Sequence, residues 1–220
     1  MSSTAIAIFA KTPGYSPVKT RLAKTIGRAA AETIYRLCVG ALEQSVRAVD
    51  VAAYWVIPEA AAMDHSLWQG LPVICSANYK DNNLGRQQAA IYQTLLAHYD
   101  QAIMIGADAP QLSPALLQRS IDALQKHQFV VGPARDGGYY LFAGRQFLNQ
   151  GFWTNLPYSS PDTCKRLLAA LPEKPYLLES LTDLDREEDL PQLRRELLAL
   201  PSCSEQQHKI LNWLENYFSQ

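Results

Sequence analysis

Apolar residues gather in short runs that alternate, through the first half of the chain, with longer segments of helical periodicity. Thr4-Ala5-Ile6-Ala7-Ile8-Phe9-Ala10 is a nearly continuous apolar run, too short for a helix and suited to a buried strand. From Ala29 to Val49, the positions Ile34, Leu37, Cys38, Ala41, Leu42, Ser45 and Val46 recur at helical intervals, which predicts a long amphipathic helix. Val51 to Ile57 stops at Pro58 like a second strand, and Leu71 to Cys75 reads as a short third, with a small helix expected near Met63 to Gln69. A loop from Ser76 to Gly85 then feeds a helix through Gln87 to His98. Asp100 introduces the apolar run Ala102-Ile103-Met104-Ile105, and Ser113-Pro114 places a capping hydroxyl before a proline at the first helical position, predicting a helix to about Lys126.

Strand followed by helix, repeated, favours a largely parallel sheet with right-handed crossovers. The pattern then changes. Gln128 to Val131 and Tyr139 to Phe142 flank Gly132-Pro133-Ala134-Arg135-Asp136-Gly137-Gly138, a connection too short for a crossover helix, so these two strands either pair antiparallel or lie apart. Either way the sheet is mixed. Beyond Gly144 the chain turns helical: Ser160-Pro161 begins one helix, Asp185-Arg186-Glu187-Glu188 resembles a capping box for the next, and Ser204 to Phe218 carries a last amphipathic helix. Without repeats, low-complexity tracts or a linker, the expectation is one α/β domain over residues 1–220, with a mixed, mostly parallel sheet flanked by helices and a C-terminal helical layer.

Composition narrows the function classes. The 220 residues carry a formal net charge of -1, with 19% charged and 48% hydrophobic positions. That balance supplies no global field for recruiting nucleic acid or acidic lipid, so an anion site must be local. The cysteines Cys38, Cys75, Cys164 and Cys203 form no C-x-x-C pair, as expected of free thiols in a reducing compartment. No basic leader precedes the short first apolar run and no stretch of membrane-spanning length occurs, so a cytoplasmic protein without a membrane span is expected.

Two strand ends carry the candidate chemistry. Gly106-Ala107-Asp108-Ala109-Pro110 turns the chain immediately after an apolar strand and leaves one carboxylate at its end, where open α/β sheets bind ligands. The first strand empties into a loop holding Lys11, Lys19 and Arg21. If the two strands are parallel neighbours, cations and carboxylate share an edge, a pairing suited to an anionic ligand with a metal. Lys19-Thr20 does not belong to a Walker A loop, because Val18 stands where that motif requires glycine. The plain alternatives are a solvated basic loop and a turn aspartate; if Asp108 serves a metal, Asp108→Asn is expected to abolish metal-dependent nucleotide binding with the melting temperature nearly unchanged, whereas a structural turn aspartate would unfold the variant. Asp136 opens a tight Asp-Gly-Gly turn that needs no function to explain it. Asp183 and Asp185 offer a second metal carboxylate; Asp185 is readily explained as a helix cap, which leaves Asp183 the freer candidate. His65, His98, His127 and His208 have no partner spacing and read as structural or solvent-facing, and neither a nucleophile elbow nor a dinucleotide fingerprint is present.

Four segments in order, Ala10-Lys11 to Val18-Lys19-Thr20-Arg21-Leu22-Ala23, Ile105 to Pro110 with Leu112, Gly132 to Leu141, and Asp183-Leu184-Asp185 with Glu188-Asp189-Leu190, resemble a bacterial family of glycosyltransferase-like proteins of GT-A fold. The nucleotide-diphosphosugar transferase superfamily to which it belongs also includes phospholactate and molybdopterin guanylyltransferases. The likeness spans about residues 4 to 190. It implies a loop from Lys11 through Lys19 and Thr20 to Arg21 over nucleotide phosphates, with Gly85 also at the nucleotide. It further implies Asp108, with Asp183, on Mg²⁺ or Mn²⁺, and Asp136-Gly137-Gly138 facing the acceptor. Lys19, Asp108 and Asp136 are the residues it would make catalytic. The chain departs from the family pattern at Tyr15-Ser16-Pro17, where Pro-Gly-Arg is usual, at Arg86-Gln87, where Glu-Arg is usual, and at Tyr158 and Ser160 within a stretch usually Trp-Ser-Thr. The implied activity is metal-dependent glycosyl transfer from a nucleotide sugar to a small-molecule acceptor. The alternatives are nucleotidyl transfer from a nucleoside triphosphate, and a nucleotide-binding protein without turnover.

Overall fold

The apolar runs form the strands of one sheet in the computed structural model of the chain, which describes residues 3–78 and 83–219. Residues 79–82, within the loop expected between Ser76 and Gly85, lie outside the described residues. In chain order the elements are β1 (Thr4–Phe9), α1 (Thr20–Ile26), α2 (Arg28–Arg47), β2 (Ala52–Ile57), β3 (Val73–Cys75), α3 (Leu84–Leu96), β4 (Gln101–Gly106), α4 (Pro114–Ala123), β5 (Phe129–Pro133), β6 (Tyr139–Gly144), α5 (Gln150–Thr154), α6 (Thr163–Ala170), β7 (Tyr176–Leu177), α7 (Leu190–Leu198) and α8 (Glu205–Phe218). The strands are ordered β3-β2-β1-β4-β6-β5-β7. β1 to β4 are mutually parallel, β6 runs antiparallel to both β4 and β5, and β7 extends the edge parallel to β5. Of the two arrangements open to the strands around residues 132–138, the antiparallel pair is the one formed.

The central strands are buried on both faces, which is why they read as unbroken apolar runs. On one face Ile6, Ile8, Trp55, Ile57, Ile103 and Ile105 pack with Tyr35, Val39 and Leu42 of α2 and Leu116 and Leu117 of α4. The opposite face is built from Ala5, Ala7 and Ala102, and these small side chains leave room for Tyr92 of α3, Phe142 and Trp153. Those three rings meet at centroid distances of 4.9 to 5.5 Å, each pair adding about 1 kcal/mol to the burial of its area. A third cluster joins Leu22 of α1, Ile34 and Cys38 of α2, Leu190, Leu193 and Leu197 of α7 and Ile210 and Leu214 of α8, with Leu184 from the segment before α7. This is the expected C-terminal helical layer, and it draws residues 181–190 back across the sheet.

Several local expectations need correction. The small helix near Met63 to Gln69 is instead two single 3-10 turns, Ala60–Ala62 and Ser66–Trp68, the second opened by His65, whose Nδ1 accepts from the Leu67 N–H. The third long helix begins at Leu84, three residues before Gln87, because the Asn83 side chain caps it by accepting from the Arg86 N–H. Helix α4 stops at Ala123 rather than near Lys126, and α6 begins at Thr163 rather than at Ser160-Pro161. The cap at Asp185 is supplied by a different acid: Asp189 Oδ2 accepts from the backbone N–H groups of Asp185 and Arg186 at 2.9 and 2.6 Å. The Asp185 carboxylate is thereby left for Arg21. Strand β7 and helices α1 and α5 have no counterpart in the expected elements, being too short to carry a clear period.

Candidate active site at the carboxyl edge of the sheet

β1 and β4 are parallel neighbours in register, with Ile8 opposite Ile105 and Phe9 opposite Gly106, so the loops that leave them open on one edge of the sheet. The β1 loop is clamped from two sides. Tyr35 of α2 accepts through its hydroxyl from the Lys11 N–H at 2.9 Å and donates to the Lys11 carbonyl at 2.8 Å. The fully buried Thr12 hydroxyl donates to Glu59 Oε2 at 2.9 Å and accepts from Trp68 Nε1 at 3.1 Å. A basic loop held this way is not merely a solvated one.

Lys19 stands just before α1 in the left-handed backbone region, at φ 47° and ψ 42°, a conformation that non-glycine residues occupy at a cost and that clusters at functional sites. Its ammonium lies 2.5 Å from Asp108 Oδ1 and also donates to the carbonyl of Leu184. The Leu184 N–H in turn donates to the Asp108 carbonyl at 3.0 Å, so three distant segments meet at one point. The lysine side chain is 4% exposed and the aspartate 42%; the pair is buried on its cationic side and open on its anionic side. Burial pulls the Lys19 pKa down, but the charges of Asp108 and Asp183 outweigh it and hold the ammonium above its ordinary value. Asp183 moves the other way: burial, then repulsion from Asp108, pushes its carboxyl up to about 7 against the opposing pull of Lys19. The Cys38 thiol beneath them is pushed up to about 12 by burial and stays protonated.

Asp183 is held in place by an acid that sequence reasoning did not single out. Glu196 of α7 accepts through Oε2 from the Thr182 N–H at 2.9 Å and Gln111 Nε2 at 2.8 Å, and through Oε1 from the Thr182 hydroxyl at 2.9 Å and Arg135 Nε at 2.7 Å. At the rim, Arg21 pairs with Asp185 at 2.5 Å.

A cleft of about 420 Å³ opens over this edge, within the range of small-molecule sites. Lys11, Lys19, Thr20, Asp108, Asp183 and Asp185 line its charged part, and Val56, Leu84, Gln88, Met104 and Tyr139 its neutral part. Arg21, Gly85, Asp136, Gly137 and Gly138 are not among the lining residues. Gly85 packs so closely in α3 that a Cβ would meet the Trp153 carbonyl at 2.5 Å. Asp136 is exposed; its Oδ1 accepts from the Gly138 N–H at 2.9 Å, closing the expected turn. Gly137 has φ +94°, and a Cβ there would lie 2.0 Å from the Pro161 carbonyl.

The donor set at the centre, two carboxylates one of which is half-buried and hard to ionise alone, suits a hard divalent cation, which takes one or two protein carboxylates and completes its shell with water and ligand oxygens. Among the described residues no group of three or more His, Cys, Asp or Glu side chains converges to hold a metal.

Residues 41–160, which include Asp108 and the whole 132–141 hairpin, match the model of a family described as uncharacterized proteins conserved in bacteria, DUF2064. The chain belongs to the DUF2064 family. Lys19 and Asp183 lie outside the matched residues of this DUF2064 protein. No curated protein matches it. Among solved structures, a protein of Desulfovibrio desulfuricans G20, provisionally described as a nucleotide-diphospho-sugar transferase, aligns over 99% of this chain and 99% of its own, at TM-score 0.83 and 23% identity. Rv0371c of Mycobacterium tuberculosis H37Rv, in complex with manganese, covers 88% of this chain and 98% of its own at TM-score 0.53 and 16% identity. A CMP:2-keto-3-deoxy-manno-octonic acid synthetase complexed with CTP covers 90% and 99% at TM-score 0.54 and 13% identity. The DUF2064 chain therefore shares the nucleotide-diphospho-sugar transferase fold.

Residues missed at the sequence level are Tyr35, Glu196 and Gln88. Gln88 did leave a signal: it occupies the buried stripe of α3 with Ile91, Tyr92 and Leu95, where a polar side chain is out of place.

Proposed function

We propose that this protein is a metal-dependent transferase acting on a nucleotide-activated sugar. The observation that carries the reading is the meeting of Lys19, Asp108 and Asp183 in one cleft at the carboxyl edge of the sheet. The shared fold supports it, since the Desulfovibrio protein, the manganese-bound Rv0371c and the CTP-bound synthetase carry names or ligands of nucleotide and metal chemistry.

In this reading Asp108 and Asp183 hold Mg²⁺ or Mn²⁺. The bound cation would supply Lewis-acid neutralisation of the diphosphate. Lys19, already fixed by Asp108 and Leu184, presents a buried positive charge toward the leaving group, and Lys11 and Thr20 bind the phosphates from the loop. When the sugar–oxygen bond breaks, the electron pair stays on the diphosphate, and preorganised charge of this kind acts most strongly where water is excluded. Arg21 steadies the phosphate charge from the rim, where it pairs with Asp185, and Asp136 contributes charge on the acceptor side. Nucleotidyl transfer from a nucleoside triphosphate is the second reading, favoured by the CTP found in a synthetase of the same fold.

A thermal-shift panel of nucleotide sugars and nucleoside triphosphates with MgCl₂ or MnCl₂ tests the reading, because a ligand that binds only the folded state raises the melting temperature. A stabilising nucleotide sugar whose turnover releases nucleoside diphosphate supports glycosyl transfer; release of pyrophosphate from a triphosphate supports the second reading. Binding without consumption, or no shift with any nucleotide, overturns both.

A further inference from the structure

The neutral part of the cleft holds a polar group with one half committed and one half free. Gln88 is 91% buried on the face of α3 that meets the sheet, by its 9% exposure. Its Oε1 accepts from the Tyr139 hydroxyl at 2.7 Å and from the Tyr158 hydroxyl at 2.9 Å. Two donors on one oxygen fix the plane of the carboxamide, and they remain donors because burial raises both phenols, Tyr158 and Tyr139, well above their ordinary values. Among the described residues Nε2 has no protein acceptor, and Gln88 lines the cleft beside Met104 and Tyr139. The nitrogen is accessible from the cleft that Gln88 lines, where a ligand oxygen can accept from it.

We infer that Gln88, oriented by Tyr139 and Tyr158, is a specificity-determining residue whose Nε2 donates to a hydroxyl or carbonyl oxygen of the uncharged, sugar-like portion of the ligand. This rests on the reading above, in which the charged part of the cleft takes the diphosphate. Among the described residues no cation lines this end, and the flanking Val56, Leu84 and Met104 are apolar, which favours an uncharged group over a phosphate there. A polyol suits it, because the carboxamide offers donors and the phenol oxygens retain lone pairs as acceptors.

Calorimetry with UDP, GDP, UDP-glucose and GDP-mannose in MgCl₂ tests the assignment on wild type, Gln88→Leu and Gln88→Glu. Gln88→Glu keeps acceptors for both tyrosines but removes the free donor, and it serves if the leucine variant does not fold. The expected result is an affinity for the nucleotide sugar reduced about fivefold or more, with that for the matching diphosphate unchanged. Equal loss for both, or no loss for either, overturns the assignment. If wild type binds no nucleotide, the transferase reading falls, and the subsite is tested separately by titrating glucose, mannose and N-acetylglucosamine while following the Gln88 side-chain NH₂ resonance by NMR. A saturable shift keeps the subsite and its absence overturns it. With UDP bound, a shift caused by free monosaccharide assigns the hydroxyls to the acceptor; a shift seen only with nucleotide sugar assigns them to the donor.

Discussion

The Lys19 ammonium sits 2.5 Å from Asp108 Oδ1 while its own side chain is 4% exposed. This is a buried cation whose principal partner is a half-open carboxylate, and breaking such a pair from either side is costly. It also fixes how the site must be probed, because the candidate metal ligand is at the same time a structural counter-charge.

Asp108→Asn is therefore not thermally silent, although the sequence alone leads one to expect a nearly unchanged melting temperature for a metal ligand at this position. The substitution leaves Lys19 buried with Asp183 as its remaining charged partner, so a loss of about 3 kcal/mol is expected, the lower end for a broken buried pair. Denaturant unfolding measures that loss, and calorimetry should show metal-dependent nucleotide binding abolished. Full stability in the variant would show that Lys19 does not depend on Asp108 as its counter-charge.

Asp183 makes stability depend on pH with a definite sign. Its folded pKa, about 7, lies above the ordinary 3.8, so the folded state holds a proton that the unfolded chain releases. The resulting stability is full below about pH 4 and is lost as pH rises through about 7. Asp183→Asn lacks this loss, so its melting temperature relative to wild type should climb by several degrees between pH 5 and pH 8. Mg²⁺ should narrow the gap at pH 8 by stabilising the ionised wild-type pair.

Gly137→Ala should destabilise the hairpin by about 2 kcal/mol or more. The position combines φ +94° with a Cβ 2.0 Å from the Pro161 carbonyl, adding left-handed strain to a backbone clash. Thermal unfolding measures it, and an unchanged melting temperature would mean that the Asp136 turn relaxes freely.

Tyr35→Phe deletes both hydrogen bonds to the Lys11 backbone, at a cost of about 1–2 kcal/mol. Faster amide exchange over residues 11–18, with weaker binding of any nucleotide found to stabilise the wild type, is the expected signature. Exchange at the wild-type rate would show that the Thr12 anchor suffices alone.

Much was legible in the sequence because its causes are short-range. Buried strands read as apolar runs, α2 and α8 as periodic stripes, Ser113-Pro114 as a helix start, and the Gly132–Gly138 connection as too short for a crossover, since each depends only on residues a few positions apart. The same locality put Lys19 and Asp108 at strand ends. Only the tertiary structure decided that β1 and β4 are neighbours, which turns two separate loop residues into an ion pair. It also brought the half-buried Asp183 beside them, through Glu196 and the α7–α8 layer, and bonded Lys19 to Leu184 across 165 positions. Gln88 gained its two tyrosines, 51 and 70 positions away, in the same manner. Charge proximity, desolvation and the partner of a buried amide are properties of packed neighbours, and packing is fixed by strand order and helix layers rather than by any local run of residues.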